Sequence, residues 1–265
     1  HGRMPSVLTG ANLANRELLY LGVSGDGDSA SIGLGQFDHA MRRGVQMAYI
    51  VENNGVYGLT KGQFSATADQ GSKSKKGVIN SDSPIDLAAM ALQLGATYVG
   101  RGFSGNKEQL VPLIKGAISH GGAAFIDVIS PCVAFNNHHG STKSYDYVRE
   151  HNEAVSRIDF ISSREEITVQ AAPGEVVDVR QHDGTFLRLR SLHTDYNPTD
   201  RYAAMAYMQK HQALGEVVTG LLYVDPLATD LHTAMNTSDK PLNSLSAAQL
   251  CPGVPALDKL NASLR

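Results

Sequence analysis

The sequence is organised around the stretch GVSGDGDSASIG, residues 22–33, which follows the apolar run LLYL at 18–21. An apolar run that ends in a glycine-rich turn and continues into a helical pattern is typical of a phosphate-binding strand–turn–helix unit. This turn carries Asp26 between two glycines, Gly25 and Gly27. Because a carboxylate repels a phosphate, the turn requires either a different ligand or a cation that bridges the two.

Apolar strands and helical segments alternate over the first half of the chain. Strands are predicted at 18–24, 45–51, 97–102 and 123–130, and helices at 1–15, 32–44, 83–95 and 106–122. For one of these helices we expect Ser83 as N-cap, Asp86 completing a capping box and Gly95 just past the end. Continuous apolar strands that alternate with helices predict a doubly wound α/β fold with a parallel sheet covered on both faces.

The pattern changes after about residue 165, so we predict a cofactor domain at 1–165 and an extension at 166–265 that serves packing or a subunit interface. In the extension, residues 175–192 alternate about Asp183-Gly184, which predicts a β-hairpin. A helix at 197–215, a strand at 217–225 and a mostly irregular tail from Asn236 are expected to follow.

The composition is that of a globular protein, with 42% hydrophobic and 18% charged residues. The formal net charge of -3 gives no basic footprint for nucleic acid or for anionic membranes. No apolar run approaches the length of about 20 residues that spans a bilayer. Two distant cysteines do not form a disulfide framework, so we expect a cytoplasmic enzyme.

Two interpretations of the turn compete. The letters GDGDSA fit a dinucleotide fingerprint, and Glu52 ends the next strand where a ribose-binding acid would lie. In the second interpretation, Asp26 and Asn54 both follow strands, with the backbone carbonyl of Val56 two residues further on. Such oxygens are the ligands that Mg²⁺ prefers when diphosphate oxygens complete its octahedron, so Asp26 would reach the diphosphate through the metal.

The sequence resembles a known family at this point. Gly25-Asp26-Gly27 followed by Asn53-Asn54 is the signature of thiamine diphosphate enzymes. The stretches GDGDSASIGLGQFDHAMRRG, NNGVYGLTKGQFSAT, ISPCVAFNNHHGSTKSYDYVREHNEA and HDGTFLRLR together resemble the β subunit of 2-oxoacid:ferredoxin oxidoreductases, in particular the 2-oxoglutarate type. The resemblance runs over almost the whole chain.

The resemblance implies roles for individual residues. Asp26, Asn54 and the Val56 carbonyl would hold Mg²⁺, and Gly25 and Gly27 would let the backbone approach the diphosphate. Asp28 and Asn53 would support the metal ligands or cap local turns, and His1 would lie near the thiamine. Thr60, Lys61 and Gln63 would face the 2-oxoacid, where the Lys61 ammonium would favour a dicarboxylate.

Cys132, in the motif SPC, corresponds in the family to one thiolate of a [4Fe-4S] cluster. The other three ligands come from cysteines near the family's N-terminus, and this sequence has none of them. Together with the start at HGRMP, this leads us to expect that N-terminal residues are missing. Cys251 matches no ligand position and is expected to be structural.

The implied activity is the oxidative decarboxylation of 2-oxoglutarate with coenzyme A, with electrons passing through the cluster to ferredoxin. The implied partners are ferredoxin and an α subunit, which would supply the acid that contacts the cofactor's aminopyrimidine. The alternatives are pyruvate or another 2-oxoacid as substrate, a thiamine-dependent decarboxylase or synthase without redox chemistry, and a subunit kept only for assembly.

Overall fold

The computed structural model describes residues 1–74, 76–155, 176–180, 186–190, 196–251 and 253–264. The helices are α1 (Met4–Ala14), α2 (Leu34–Arg42), α3 (Leu87–Leu94), α4 (Lys107–Ser119), α5 (Tyr145–His151), α6 (Arg201–Ala213), α7 (Leu231–Met235), α8 (Ala247–Leu250) and α9 (Val254–Ser263), with a π-helical turn at Gly27–Ile32 and a 3₁₀ turn at Leu242–Ser244. The strands are β1 (Leu21–Gly25), β2 (Met47–Asn53), β3 (Val56–Tyr57), β4 (Gln63–Phe64), β5 (Tyr98–Phe103), β6 (Ala123–Ile129), β7 (Asn152–Ala154), β8 (Val176–Arg180), β9 (Phe186–Arg190) and β10 (Val217–Val224).

The main sheet has the strand order β1-β2-β6-β5-β10-β7. The first four strands of this order are mutually parallel, so their carboxyl ends meet at one edge of the sheet. This confirms the doubly wound α/β class. The sheet is mostly parallel, as predicted, and β10 is the exception because it runs antiparallel to β5. That strand comes from outside the alternating strand–helix region on which the expectation rested.

Helices cover both faces of the sheet, as predicted. Alternate residues of the central strands enter two separate apolar clusters. On one face, Phe37 of α2 meets Tyr49 and Phe125 edge-on, with ring centroids 5.6 and 5.1 Å away. On the other face, Leu113 and other residues of α4 pack against the sheet. Both faces are therefore buried by apolar contacts, which fixes the register of the strands and the position of their ends.

Strand β1 differs from its prediction in extent and in burial. It begins at Leu21 rather than at residue 18, and Leu18 and Leu19 are exposed ahead of it. Leu21 and Val23 are about half exposed, although the apolar run predicts a buried strand. The reason is position, because β1 is the last strand at one side of the main sheet among the described residues.

Helix α3 begins later than predicted. Its N-cap is Asp86, whose carboxylate accepts a hydrogen bond from the Ala89 amide, and not Ser83. Asp86 can cap because its backbone is extended and its side chain is also held by Arg101. Gly95 ends the helix with a φ of 93°, as predicted. Asn106, the first residue of the helix predicted at 106–122, is the N-cap of α4.

The extension contributes to the main sheet through β10, and α6 begins after Asp200 as its N-cap. Strands β8 and β9 pair antiparallel as the hairpin prediction requires, while its turn at 181–185 lies outside the described residues. The domain boundary at 165/166 also lies outside them. The prediction of a mostly irregular tail from Asn236 is wrong, because helices α8 and α9 form there. A capping box between Ser246 and Gln249 begins α8.

Among the described residues, no helix is both long enough and apolar enough to cross a membrane.

Candidate functional site

The candidate site lies at the carboxyl edge of the parallel strands. Strand β1 ends at Gly25, so Asp26 follows it directly, and the neighbouring β2 ends at Asn53. The short β3–β4 hairpin follows β2 at once, pairing Val56 with Phe64. Because the hairpin returns the chain to the same edge, it brings Ser65 and the residues after it back to the turn.

The Asp26 side chain is 1% exposed and is surrounded by donors. Its Oδ2 atom accepts hydrogen bonds from the Gly55 amide at 3.0 Å and from the Ser65 hydroxyl, and Thr67 Oγ1 lies 2.7 Å away. Its Oδ1 atom receives only a long contact of 3.4 Å from the Asn54 amide. One carboxylate oxygen is therefore saturated, while the other keeps lone pairs for a cation.

Burial raises the pKa of Asp26, and hydrogen bonds from Ser65, Thr67 and the Asn54 amide only partly offset this effect. The folded chain thus disfavours the ionised form of a carboxyl group that lies at the end of a strand. A bound cation favours the ionised form and removes this penalty. The donor set and the electrostatics of Asp26 therefore fit a hard divalent metal ion.

The other predicted metal ligands lie beside Asp26. Asn54 is partly exposed, and its Oδ1 accepts one hydrogen bond, at 3.1 Å from the Val56 amide, so this oxygen retains a lone pair. The Asn54 carbonyl is held by the Asn136 amide group at 2.8 Å. The structure thus places Asn54 against the Asp26 carboxylate, and Val56, which begins β3, beside the Asn54 side chain.

The two glycines of the turn, Gly25 and Gly27, differ in the space beside their Cα atoms. Gly25 is exposed, and a Cβ there would meet no atom within 4 Å, so the space beside it is open. At Gly27 a Cβ would overlap the ring of Tyr57. The Tyr57 hydroxyl also donates a hydrogen bond of 3.0 Å to the Gly27 carbonyl. Gly27 therefore serves packing within the chain in addition to any approach of a diphosphate.

Asn53 and Asp28 lie in different surroundings. Asn53 is buried, and its side chain contacts Thr67 and Asp127 rather than capping a turn. Asp28 is about one-third exposed and lies 3.8 Å from the His1 ring, which is 91% exposed. The structure therefore places His1 and Asp28 together at the open side of the turn.

The residues predicted to face the substrate lie on the β3–β4 hairpin. Thr60, Lys61 and Gln63 are all exposed, and the Thr60 hydroxyl donates a hydrogen bond to the Gln63 amide oxygen. Lys61 has a φ of 77°, a left-handed conformation that is unusual for a residue with a side chain. These three residues and Lys76 line one cavity of about 200 Å³. Two lysine residues therefore line the same cavity at the hairpin.

Cys132 follows β6 at the same edge of the sheet and is partly exposed, whereas Cys251 is exposed at the end of α8. A cubane cluster normally needs four thiolates, and the sequence has two cysteines in total. Among the described residues, no group of three or more His, Cys, Asp or Glu side chains is arranged to hold a metal. Cys132 and Cys251 therefore cannot hold a [4Fe-4S] cluster by themselves.

Sequence reasoning missed the residues that surround the predicted ligands: Ser65, Thr67, Arg101, Asp127 and Asn136. Arg101 and Asp127 carry a signal, because each is the only charged residue in its strand. A lone charge in a buried strand requires a partner, and two such strands predict a pair. Ser65, Thr67 and Asn136 lie in polar loops and carry no comparable signal.

Comparison with known proteins identifies the cofactor. Residues 1–128 match the family model of the thiamine pyrophosphate enzyme C-terminal TPP-binding domain. This stretch contains the Asp26 turn and the β3–β4 hairpin. The chain thus carries a thiamine diphosphate-binding domain, and the dinucleotide interpretation of the turn is wrong.

Curated relatives are β subunits of oxidoreductases. The chain is 47% identical over 148 residues to the 2-oxoacid:ferredoxin oxidoreductase β subunit of Saccharolobus solfataricus, covering 55% of this chain and 47% of that one. It is 36% identical over 185 residues to the 2-oxoglutarate oxidoreductase subunit KorB of Mycobacterium tuberculosis, covering 69% and 48%. The chain therefore spans about half the length of these two relatives.

In two further comparisons, the chain covers a larger share of the matched protein. The 2-oxoglutarate synthase subunit KorB of Methanocaldococcus jannaschii is 33% identical over 186 residues, covering 68% of each chain. The structure of the 2-oxoglutarate:ferredoxin oxidoreductase from Magnetococcus marinus, with 2-oxoglutarate, coenzyme A and succinyl-CoA bound, matches with a TM-score of 0.67 at 28% identity, covering 89% of this chain and 67% of that one. The sequence, the cofactor turn and the fold agree, and the chain belongs to the β-subunit family of the 2-oxoacid:ferredoxin oxidoreductases.

Proposed function

We propose that this chain is the thiamine diphosphate-binding β subunit of an enzyme that oxidatively decarboxylates 2-oxoglutarate with coenzyme A, giving succinyl-CoA and CO₂. The two electrons released would pass to ferredoxin. The names of the relatives and the ligands of the Magnetococcus marinus enzyme support this proposal. A cytoplasmic location remains a prediction from composition.

The observation that carries the proposal is the buried Asp26 carboxylate, with one oxygen saturated by donors and one oxygen left for a cation. Asp26, Asn54 and the Val56 carbonyl would hold Mg²⁺, and the metal would bind the diphosphate beside Gly25. His1 and Asp28 would lie at the open side of this site. When bound, thiamine diphosphate supplies the carbanion that attacks a keto carbon and holds the electrons released with CO₂.

The β3–β4 hairpin supports a dicarboxylate substrate. Lys61 and Lys76 line one cavity together with the polar side chains of Thr60 and Gln63. An ammonium group that pairs the distal carboxylate of 2-oxoglutarate would favour it over pyruvate, which lacks that group. Lys61 would therefore select the substrate, while Thr60 and Gln63 would help orient it.

The proposal requires partners. In the family, an acidic residue from a second, pyrimidine-binding domain contacts the cofactor, and we propose that an α subunit supplies it. Ferredoxin is proposed as the electron acceptor. If Cys132 binds a [4Fe-4S] cluster, the other thiolates must come from outside these residues, since Cys251 is remote in sequence and lies at the end of α8.

Two alternatives follow from specific observations. A thiamine-dependent decarboxylase or synthase without redox chemistry uses the same cofactor site and needs no cluster, so it would leave Cys132 as an ordinary partly exposed side chain. The exposure of Lys61 favours pyruvate or another 2-oxoacid, because an ammonium group in water discriminates weakly between substrates.

The test is reduction of a viologen dye by the full chain, purified anaerobically with its partner subunit and supplied with coenzyme A and either 2-oxoglutarate or pyruvate. We expect faster reduction with 2-oxoglutarate, and a Lys61→Met variant that raises KM for 2-oxoglutarate more than for pyruvate. Lys73→Met is the matched control, because Lys73 lies three residues before Lys76 in the sequence but lines a different cavity. Preference for pyruvate would refute the substrate, and release of CO₂ without dye reduction would refute the redox reaction.

A further inference from the structure

We infer that Asp127, held in place by Arg101, is a positioning residue for the metal loop and acts on it through the side chain of Asn53. The inference rests on the proposed function, because it concerns the Mg²⁺ and thiamine diphosphate site. It assigns a role to two buried charges that neither the motifs nor the predicted ligands include.

Asp127 lies in the middle of the sheet and is 2% exposed. The remaining residues of β6 are apolar, with the sequence AAFIDVI. Burying a carboxylate in such surroundings costs several kcal/mol unless it is paired and hydrogen-bonded. A charge at this position therefore requires specific partners, and it has two.

The first partner is Arg101, which lies directly across from Asp127 in the pairing of β5 with β6. The Arg101 Nε atom lies 2.9 Å from Asp127 Oδ2, and one of its terminal nitrogens lies 2.5 Å from Asp86 Oδ1. Because Asp86 also caps α3, the guanidinium ties two strands and one helix together. This anchorage holds the Asp127 carboxylate in one orientation.

The second partner is Asn53. The other Asp127 oxygen accepts a hydrogen bond of 3.0 Å from Asn53 Nδ2. A carboxylate accepts but does not donate, so it orients the amide with nitrogen toward Asp127 and oxygen toward Thr67. The Asn53 Oδ1 atom lies 2.9 Å from Thr67 Oγ1, which itself lies 2.7 Å from Asp26 Oδ2. A reversed amide would place two acceptors against each other at Asp127.

The position of Asn53 fixes that of Asn54. The Asn53 carbonyl accepts a hydrogen bond of 2.9 Å from the Ser130 amide, and the next residue carries the proposed metal-binding oxygen. Because the side chain and the carbonyl of Asn53 are both hydrogen-bonded, the backbone of the next residue, Asn54, has little freedom to move. The buried pair thus sets the geometry that an octahedral Mg²⁺ site requires.

The test measures metal binding rather than activity. We expect Asp127→Asn to weaken Mg²⁺ affinity about 10- to 100-fold, the range found when groups that orient metal ligands are removed. The affinity is measured in the full chain, purified in the assembly in which it occurs, from the Mg²⁺ dependence of thiamine diphosphate binding. Thr219→Val is the matched control, since Thr219 is fully buried and hydrogen-bonded in β10 of the same sheet.

A double-mutant cycle tests the route through Asn53. If Asp127 acts through this side chain, Asp127→Asn should change Mg²⁺ affinity less than about twofold in an Asn53→Ala background. Loss of thermal stability with unchanged Mg²⁺ affinity in Asp127→Asn would overturn the inference, as would independent effects of the two substitutions. A wild-type protein that binds no thiamine diphosphate with Mg²⁺ would instead refute the proposed function.

Discussion

Replacing Asp26 with asparagine separates the stability of the chain from its ability to bind metal. The substitution keeps the shape of the side chain and one acceptor oxygen, and it removes the charge. The retained oxygen can still accept from Gly55, Ser65 and Thr67, the groups around Asp26 Oδ2. The new amide group replaces Oδ1, the oxygen that we assign to the metal.

The structure bounds the expected effect on the cofactor-free chain. The Asp26→Asn variant would lose only the long contact of 3.4 Å from the Asn54 amide, and one hydrogen bond contributes about 0.5–1.5 kcal/mol. Removing a buried charge acts in the opposite direction. Since 1 kcal/mol corresponds to about 2–4 °C in Tm for a chain of this size, we expect Tm to change by less than about 5 °C.

The ligand-bound state should respond differently. Ligand at about 100 times its Kd stabilises a protein by about 2.7 kcal/mol, or about 5–11 °C. The wild type should gain this increment with Mg²⁺ and thiamine diphosphate, and Asp26→Asn should gain nothing. The measurement is differential scanning calorimetry of both proteins in EDTA and with both ligands.

The pH dependence has a definite sign. Burial raises the pKa of Asp26, so the cost of its ionisation in the metal-free protein is absent below the unfolded pKa and reaches its full value above the folded pKa. The stability of Asp26→Asn relative to wild type should therefore increase as pH rises through this window.

Two calorimetric results for Asp26→Asn would refute the reasoning. One is a ligand-induced increase in Tm equal to that of wild type, and the other is a Tm in EDTA more than about 10 °C below that of wild type.

Three further substitutions test the hydrogen bonding and packing of the site and the packing of the core. Gly27→Ala forces a methyl group against the Tyr57 ring and should cost about 1–3 kcal/mol in urea unfolding; unchanged stability would contradict the overlap. Phe125→Ala removes a fully buried ring from the core and should cost about 3–5 kcal/mol in the same assay, with less than about 1 kcal/mol as the contradicting result. Thr67→Val removes the hydroxyl between Asp26 and Asn53 and should cost about 1–3 kcal/mol while weakening Mg²⁺ binding; full Mg²⁺ affinity would exclude its role at the metal loop.

The parallel part of the fold could be predicted because its signals are local. Apolar strands, Gly95 after α3 and Asn106 before α4 lie within a few residues of the structure that they determine. The antiparallel β10 could not be oriented, because the direction of a strand depends on long-range pairing with β5. The start of α3 was misplaced because Arg101, a residue from another strand, helps to hold Asp86 as its cap.

The candidate site could be predicted only as far as its motifs extend. The glycine-aspartate-glycine turn and the paired asparagines lie after neighbouring strands, so their proximity follows from a parallel sheet. The donors that saturate Asp26 come from the loop after the β3–β4 hairpin, whose return to the turn has no local signature. The roles of the individual residues remain predictions.

The measurement that tests the central claim most directly is a calorimetric titration of thiamine diphosphate into the full chain in its native assembly. We predict binding in Mg²⁺, loss of binding in EDTA and recovery when Mg²⁺ is restored. Binding that survives EDTA would contradict the assignment of Asp26, Asn54 and Val56 as the oxygens that join a metal to the cofactor.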